Sequence, residues 1–174
     1  MIVVSLLQDA ESTNRLVQAA APWAKLYSHS KPVSTAVLFL HLVPLLLAGG
    51  TALVADRATI RAARSGAAER TRQLSELAAA HRLVVGGLAL SFISGILLFL
   101  SDVETFLPSP LFWIKLALVA LLLVNGYLMT VTERGLARSG DDARLWARMS
   151  TIAITSWTLW IATTLAGVVL TQFA

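Results

Sequence analysis

The sequence predicts an all-α integral membrane protein, a four-helix bundle preceded by an N-terminal amphipathic helix in the membrane interface. Three observations lead to this fold class. The mean hydropathy is +0.72 and only 14% of the 174 residues are charged, whereas soluble domains carry about 25%. Four apolar segments approach or exceed the roughly 20 residues that cross a bilayer as a helix. The arginines collect between these segments, as they do in connections beside membrane spans.

Residues 1–32 form the predicted interfacial segment, and residues 33–174 form the membrane bundle. In the first segment, apolar residues recur at helical spacing between polar ones, which predicts an amphipathic helix lying along the membrane surface. Trp23 and Tyr27 are typical anchors at the level of the lipid head groups. Pro32 marks the boundary to the bundle, because proline suits the first turn of a helix and disfavours helix in the residue before it.

The first predicted span covers residues 33–55 and is closed by Asp56. Pro44 lies inside it, so the carbonyl of Leu40 loses its usual N–H donor and the helix is expected to kink beside His41. The connection that follows is rich in alanine and free of proline. We therefore expect it to extend the helices on either side of it.

The other three spans are predicted at residues 81–100, 111–131 and 149–173. A short acidic turn with two prolines, residues 101–110, separates the second span from the third. The third span contains Asn125, a polar group for which we predict a hydrogen bond to a neighbouring helix.

The arginines predict the orientation of the bundle. By the positive-inside rule, both arginine-rich connections face the cytoplasm and both termini lie outside, across a bacterial inner membrane. Such clusters also attract anionic lipid head groups, so the net charge of +4 requires no nucleic acid. The first connection carries Arg57, Arg61, Arg64, Arg70, Arg72 and Arg82, and the second carries Arg134, Arg138, Arg144 and Arg148.

Two histidines are candidate ligands of a haem iron, because an ionisable group inside a span is a functional hypothesis by default. His41 lies in the outer leaflet and His81 at the cytoplasmic side, so we do not expect them to share one metal ion. His81 and Met129 lie on the same side and form a candidate His/Met axial pair, with Met149 as a further candidate. His41 could ligate alone or with its symmetry mate in a dimer.

Structural roles are the alternative for both histidines. His41 would then hydrogen-bond a Ser or Thr, or the carbonyl of Leu40 that Pro44 frees. His81 would be an ordinary interfacial residue at the start of its helix.

Lys115 is the only Lys or Arg in the interior of a predicted span, because Arg82 lies at the cytoplasmic start of the second span. Its ammonium group either extends to the interface or pairs with Asp102 or Glu104 in the turn before it. In the second interpretation, Lys115 and His41 belong to one polar pocket in the outer leaflet, which could hold a quinone head group or an anion.

Two helix faces predict packing. Gly87, Ser91 and Gly95 recur every fourth residue, which permits close approach of a neighbouring helix. Trp157 and Trp160 share a face of the last span. That face suits either a surface that contacts lipid or a partner, or the wall of a cofactor site, and we favour the first.

Three segments resemble a family of bacterial four-helix inner-membrane proteins. In Ser34–Arg61 a His is followed by a small-residue patch and an Asp-Arg end, and Ser94–Phe99 (SGILLF) and Phe112–Gly126 (FWIKLALVALLLVNG) match the later spans. More distantly, the layout is similar to CopD-like copper-resistance proteins and four-helix b-type cytochromes. That resemblance implies binding of haem b and transmembrane electron transfer.

Two functional hypotheses follow. The first is a haem- or quinone-associated protein of membrane electron transfer, for which no catalytic residue is assigned. The second is a non-catalytic structural or accessory subunit, either a homo-oligomer or part of a larger membrane complex. A small transporter ranks third, because charge within the spans is sparse. The chain contains no cysteine and no hydrolase or transferase motif, so any reaction would be a redox reaction without thiol chemistry.

Overall fold

The computed structural model describes residues 2–139 and 141–173, which form helices joined by short turns. The helices are α1 (Ile2–His29), α2 (Lys31–Ala62), α3 (Ala67–Ser101), α4 (Val103–Phe106), α5 (Pro110–Ser139) and α6 (Ala143–Phe173). Four of them, α2, α3, α5 and α6, are long and apolar enough to cross a membrane. The predicted all-helical class with four candidate spans is therefore confirmed.

The spanning helices are longer than the predicted spans, because the arginine-rich segments are largely helical. α2 continues past Asp56 to Ala62, and α3 begins at Ala67. Each predicted span lies inside one of the observed helices. At the other end of the bundle, the side chain of Asp102 accepts a hydrogen bond from the Thr105 amide (3.2 Å) and caps the short helix α4.

The four long helices form two hairpins, α2 with α3 and α5 with α6, and the hairpins meet mainly where α2 packs against α6. The backbones of α3 and α5 hardly approach within 8 Å of each other. The ring of four helices is therefore loosely closed on the side between α3 and α5.

Arg70 joins the turns of the two hairpins. Its guanidinium group pairs with Asp141 (2.7 Å), donates to the carbonyl of Ala63 (2.9 Å), and lies 5.5 Å from the ring centroid of Trp146. Both arginine-rich turns thus lie at one end of the bundle. We call it the arginine end, and the opposite end, which carries α4, the α4 end.

Helix α1 is attached to the bundle by its second half. The indole N–H of Trp23 donates to the carbonyl of Leu97 on α3 (2.7 Å), and Ala20 is buried. The side chains of residues 2–10, on which the first half of the predicted amphipathic pattern depends, lie outside the described part of the structure.

The small-residue face of α3 packs inside the molecule, against α2. A Cβ atom on Gly87 would lie 2.8 Å from the carbonyl oxygen of Pro44 and 2.9 Å from the Cβ of Ala48, so no side chain fits there. This confirms the prediction that the face permits close helix approach.

The favoured prediction that Trp160 faces lipid or a partner is wrong. Its side chain is only 4% exposed and belongs to the core between α2, α5 and α6. It fits there because Gly49 offers no side chain: a Cβ at that position would lie 3.1 Å from the indole ring. Trp157 is 38% exposed, and its indole N–H donates to the carbonyl of Leu53 (3.2 Å).

Candidate functional site

The first candidate site forms where Pro44 interrupts the hydrogen bonds of α2. Because Pro44 has no N–H, the carbonyl of Leu40 lacks its usual donor. The hydroxyl of Ser94 on α3 lies 3.2 Å from that carbonyl oxygen, and the hydroxyl of Ser91 donates to the carbonyl of His41 (3.1 Å). Ser91 therefore supplies one donor to α2 near Pro44, and the Ser94 hydroxyl, which also lies 2.9 Å from the carbonyl oxygen of Leu90 on its own helix, is positioned for a second.

The same serine segment orients the ring of His41. Its Nδ1 lies 2.9 Å from the backbone carbonyl oxygen of Ser91. A carbonyl only accepts hydrogen bonds, so Nδ1 carries the hydrogen and Nε2 is left for another partner. Gly95 makes room for the ring, since a Cβ there would lie 3.2 Å from Cε1 of His41.

Lys115 is the nearby charge. It lies within electrostatic range of His41, and its Nζ atom lies next to α6, 3.8 Å from the position that a Cβ on Gly167 would occupy. None of the salt bridges among the described residues involves Lys115, so the predicted pairing with Asp102 or Glu104 is not formed. We call the group of His41, Ser91, Ser94 and Lys115 the His41 cluster.

The second candidate site is a cavity of about 220 Å³ between α2, α3, α5 and α6. It lies where the backbones of α3 and α5 stay apart. Side chains bridge these two helices near the ends of the gap, through His81 and Glu133 (Nδ1 to Oε2, 3.2 Å) and through the stacked rings of Phe99 and Phe112 (centroids 5.1 Å apart). We call this space the side cavity.

Polar groups meet inside the side cavity. Asp56 is only 5% exposed, the side chain of Ser156 hydrogen-bonds its carboxyl group, and its Oδ2 atom is buried without a partner. Asn125 donates to the carbonyl of Ile152 on α6 (3.2 Å), as predicted for an inter-helix bond. Its amide oxygen is left as an acceptor.

His81 and Met129, the predicted axial pair, both line the side cavity. Met149 is fully buried in the core at the arginine end. Sites that enclose a drug-sized ligand hold roughly 300–1,000 Å³, so this cavity suits a group smaller than a haem. No cluster of three or more His, Asp or Glu side chains within the described residues could hold a metal ion.

His41 and His81 are far apart, as predicted. His41 contacts Ser91, which is ten residues from His81 along α3. At 1.5 Å per residue, that separation is about 15 Å along the helix axis. One metal ion cannot bridge the two rings.

The sequence reasoning missed Asp56, which it treated as the end of the first span. Asp56 lies inside α2, and its carboxyl group faces the other helices. One sequence signal marks this position: Ala48, Ala52, Asp56 and Thr59 recur at helical spacing. All four are buried on the face of α2 that carries the core.

Four long apolar helices whose polar side chains meet inside the bundle are characteristic of a multi-pass helical membrane protein. No protein-family model, no curated protein and no solved structure matches this chain.

Proposed function

We propose that the protein binds the head group of a lipid-soluble quinone at the His41 cluster and acts in membrane electron transfer. The observation that supports this best is an oriented imidazole within electrostatic range of an ammonium group that has no carboxylate partner among the described residues. Both groups lie in helices that are candidates to span the membrane.

The two side chains complement the two redox forms of a quinone. A quinone carbonyl accepts hydrogen bonds, and the Lys115 ammonium group is a donor. A quinol hydroxyl donates, and the Nε2 lone pair of a neutral His41 accepts. The cluster thus has one partner for each form of the head group.

Haem b is the second candidate ligand at this site. A histidine that binds a metal usually donates its other ring N–H to a carbonyl or a carboxylate, as His41 does to Ser91. We rank haem below quinone because the methionines of the described bundle helices, Met129 and Met149, lie at the arginine end. A haem at His41 would lack a second axial ligand of that type from the same chain.

Two features that could have served an accessory subunit as contact surfaces are used inside the molecule. The small-residue face of α3 is occupied by α2, and Trp160 lies in the core. The four long helices expose many apolar side chains, and contact with lipid alone would account for them.

For the orientation, we propose that the arginine end faces the cytoplasm of a bacterial inner membrane and contacts anionic lipid head groups. Arg70 and Asp141 hold both arginine-rich turns at one end, so one orientation satisfies the positive-inside rule for both. The α4 end and the termini would then lie outside, with α1 in the outer interface.

The test is the quinone content of full-length protein reconstituted into quinone-containing nanodiscs. Bound quinone is extracted from repurified particles and quantified by chromatography, with empty nanodiscs as the blank. We expect Lys115→Met to lose quinone relative to the wild type, whereas Lys31→Met, the same change at an exposed residue, retains it. Equal quinone in both variants would overturn the proposal.

An absorption spectrum of the same preparations, first oxidised and then reduced with dithionite, decides between the ligands. A Soret band that disappears in His41→Ala would replace quinone by haem as the ligand of the cluster.

A further inference from the structure

The carboxyl group of Asp56 has an incomplete set of partners. Oδ2 is buried without a hydrogen bond, and no salt bridge within the described part of the chain involves Asp56. Burying an ionised carboxylate without a partner is costly. The group therefore requires either a proton or a ligand that brings a positive charge or a hydrogen-bond donor.

The surroundings of Asp56 favour a cation. No Lys or Arg lines the side cavity. The one imidazole in its wall, that of His81, already faces Glu133. The remaining polar groups include the amide oxygen of Asn125, and the rings of Tyr127 and Trp160 also line the space. Aromatic faces attract ammonium groups, so the lining complements a positive charge and offers no Lys or Arg side chain to an anion.

The opening of the cavity favours a ligand that has an apolar part. Val85 on α3 is 63% exposed and Tyr127 on α5 is 66% exposed, and both line the cavity. They lie within candidate spans, on the side where α3 and α5 stay apart. A ligand entering there arrives from the hydrocarbon region and leaves its apolar part between the two helices.

We propose that the side cavity binds a lipophilic amine, whose protonated nitrogen pairs with Asp56 and whose apolar body extends through the gap between α3 and α5. The small volume limits the enclosed part to about one ring, since sites for drug-sized ligands begin near 300 Å³. This site is separate from the His41 cluster, and it does not rest on the quinone proposal.

The test uses the full chain in nanodiscs and two probes of matched shape, phenylbutylamine and phenylbutanol. Equilibrium dialysis measures the binding of each, with protein-free nanodiscs as the blank for partition into lipid. We expect saturable binding of the amine that is weakened roughly thirtyfold or more in Asp56→Asn, because one partner of a buried charge pair is lost. The alcohol should bind equally weakly to both proteins.

Glu76→Gln is the matched control, because it removes the same charge from an exposed carboxylate at the arginine end. It should leave binding of the amine unchanged. If Glu76→Gln weakens binding as much as Asp56→Asn, general surface charge explains the effect and the proposal is wrong.

A second variant tests the cavity without touching Asp56. Gly126 lines the space, and no atom lies within 4 Å of a Cβ added there, so Gly126→Leu fills the cavity without a backbone clash. Gly86→Leu is its control, since position 86 is equally open and lies outside the lining. We expect loss of amine binding in the first variant and wild-type binding in the second.

Three results would overturn the inference. The amine could bind Asp56→Asn as tightly as the wild type, or the alcohol could compete as well as the amine, which would indicate a neutral hydrogen-bonding ligand. Sodium ions could displace the amine where choline does not, which would indicate an alkali-ion site. None of these results affects the quinone content that depends on Lys115.

Discussion

The imidazole ring of His41 on α2 is held by the backbone carbonyl of Ser91 on α3, with 2.9 Å between Nδ1 and the carbonyl oxygen. Because this bond joins two helices, the orientation of the ring depends on the spacing between them. Gly87, one turn before Ser91, sets that spacing, since it leaves no room for a side chain against α2.

Substitution of Gly87 should therefore destabilise the α2–α3 pair. In Gly87→Ala the added methyl group meets the carbonyl of Pro44, and we expect a loss of about 1–3 kcal/mol in the free energy of unfolding, as overpacked cores show. Gly86→Ala meets nothing within 4 Å and should gain about 0.5–1 kcal/mol from helix propensity. Unfolding in mixed micelles, followed by circular dichroism, measures both. Equal changes in the free energy of unfolding of the two variants would contradict the close approach of α2 and α3 at Gly87.

The role of Ser94 can be tested against Pro44 in a double-mutant cycle. Ser94→Ala removes a donor that lies 3.2 Å from the Leu40 carbonyl oxygen and should cost about 1 kcal/mol in the free energy of unfolding, because a carbonyl inside a candidate span loses a hydrogen-bond partner. In a Pro44→Ala background the backbone N–H returns and the cost should shrink. An unchanged cost in that background would show that Ser94 serves only the carbonyls of its own helix.

Replacement of Arg70 by lysine should destabilise the protein. Arg70→Lys keeps the charge but loses the planar group that reaches Ala63, Asp141 and Trp146 together. We expect a loss of roughly 1–2 kcal/mol in the free energy of unfolding, discounted because Asp141 is partly exposed. Arg72→Lys, at a side chain that is 66% exposed, should change the free energy of unfolding little. Mixed-micelle unfolding compares the two. If they unfold alike, Arg70 does not join the two turns.

The orientation can be tested by thiol labelling, because the chain contains no cysteine and an introduced one is its only thiol. Ser65→Cys places a thiol in the turn at the arginine end, and Glu104→Cys places one in α4; both positions are exposed. In spheroplasts an impermeant maleimide should label position 104 directly and position 65 only after permeabilisation. The reverse pattern would place the arginine end outside and contradict the positive-inside assignment.

Hydropathy was sufficient to predict the helical class and the four candidate spans, because each span must be long and apolar regardless of its neighbours. The position of Asn125 inside a span was also sufficient to predict its hydrogen bond to a neighbouring helix, since a polar amide there needs a partner within the protein. The error for Trp160 arises from a tertiary contact. Trp160 is buried because Gly49, more than one hundred residues earlier, leaves a space for it.

Asp56 was missed for a related reason. An acidic-basic pair at the end of an apolar run is typical of a helix end at the membrane surface, and only the continuation of α2 to Ala62 shows that the carboxyl group turns inward. Helix periodicity can identify an inner face, but it cannot tell which groups from other helices will lie opposite it.

The loose contact between α3 and α5 has a mechanical consequence. The two hairpins are joined mainly along α2 and α6, so that seam can act as a hinge while each hairpin keeps its own packing. The width of the opposite gap is then set by two bridges, His81 with Glu133 and Phe99 with Phe112. A variant that loses either bridge is therefore expected to change the width of the gap and to leave the packing within each hairpin intact.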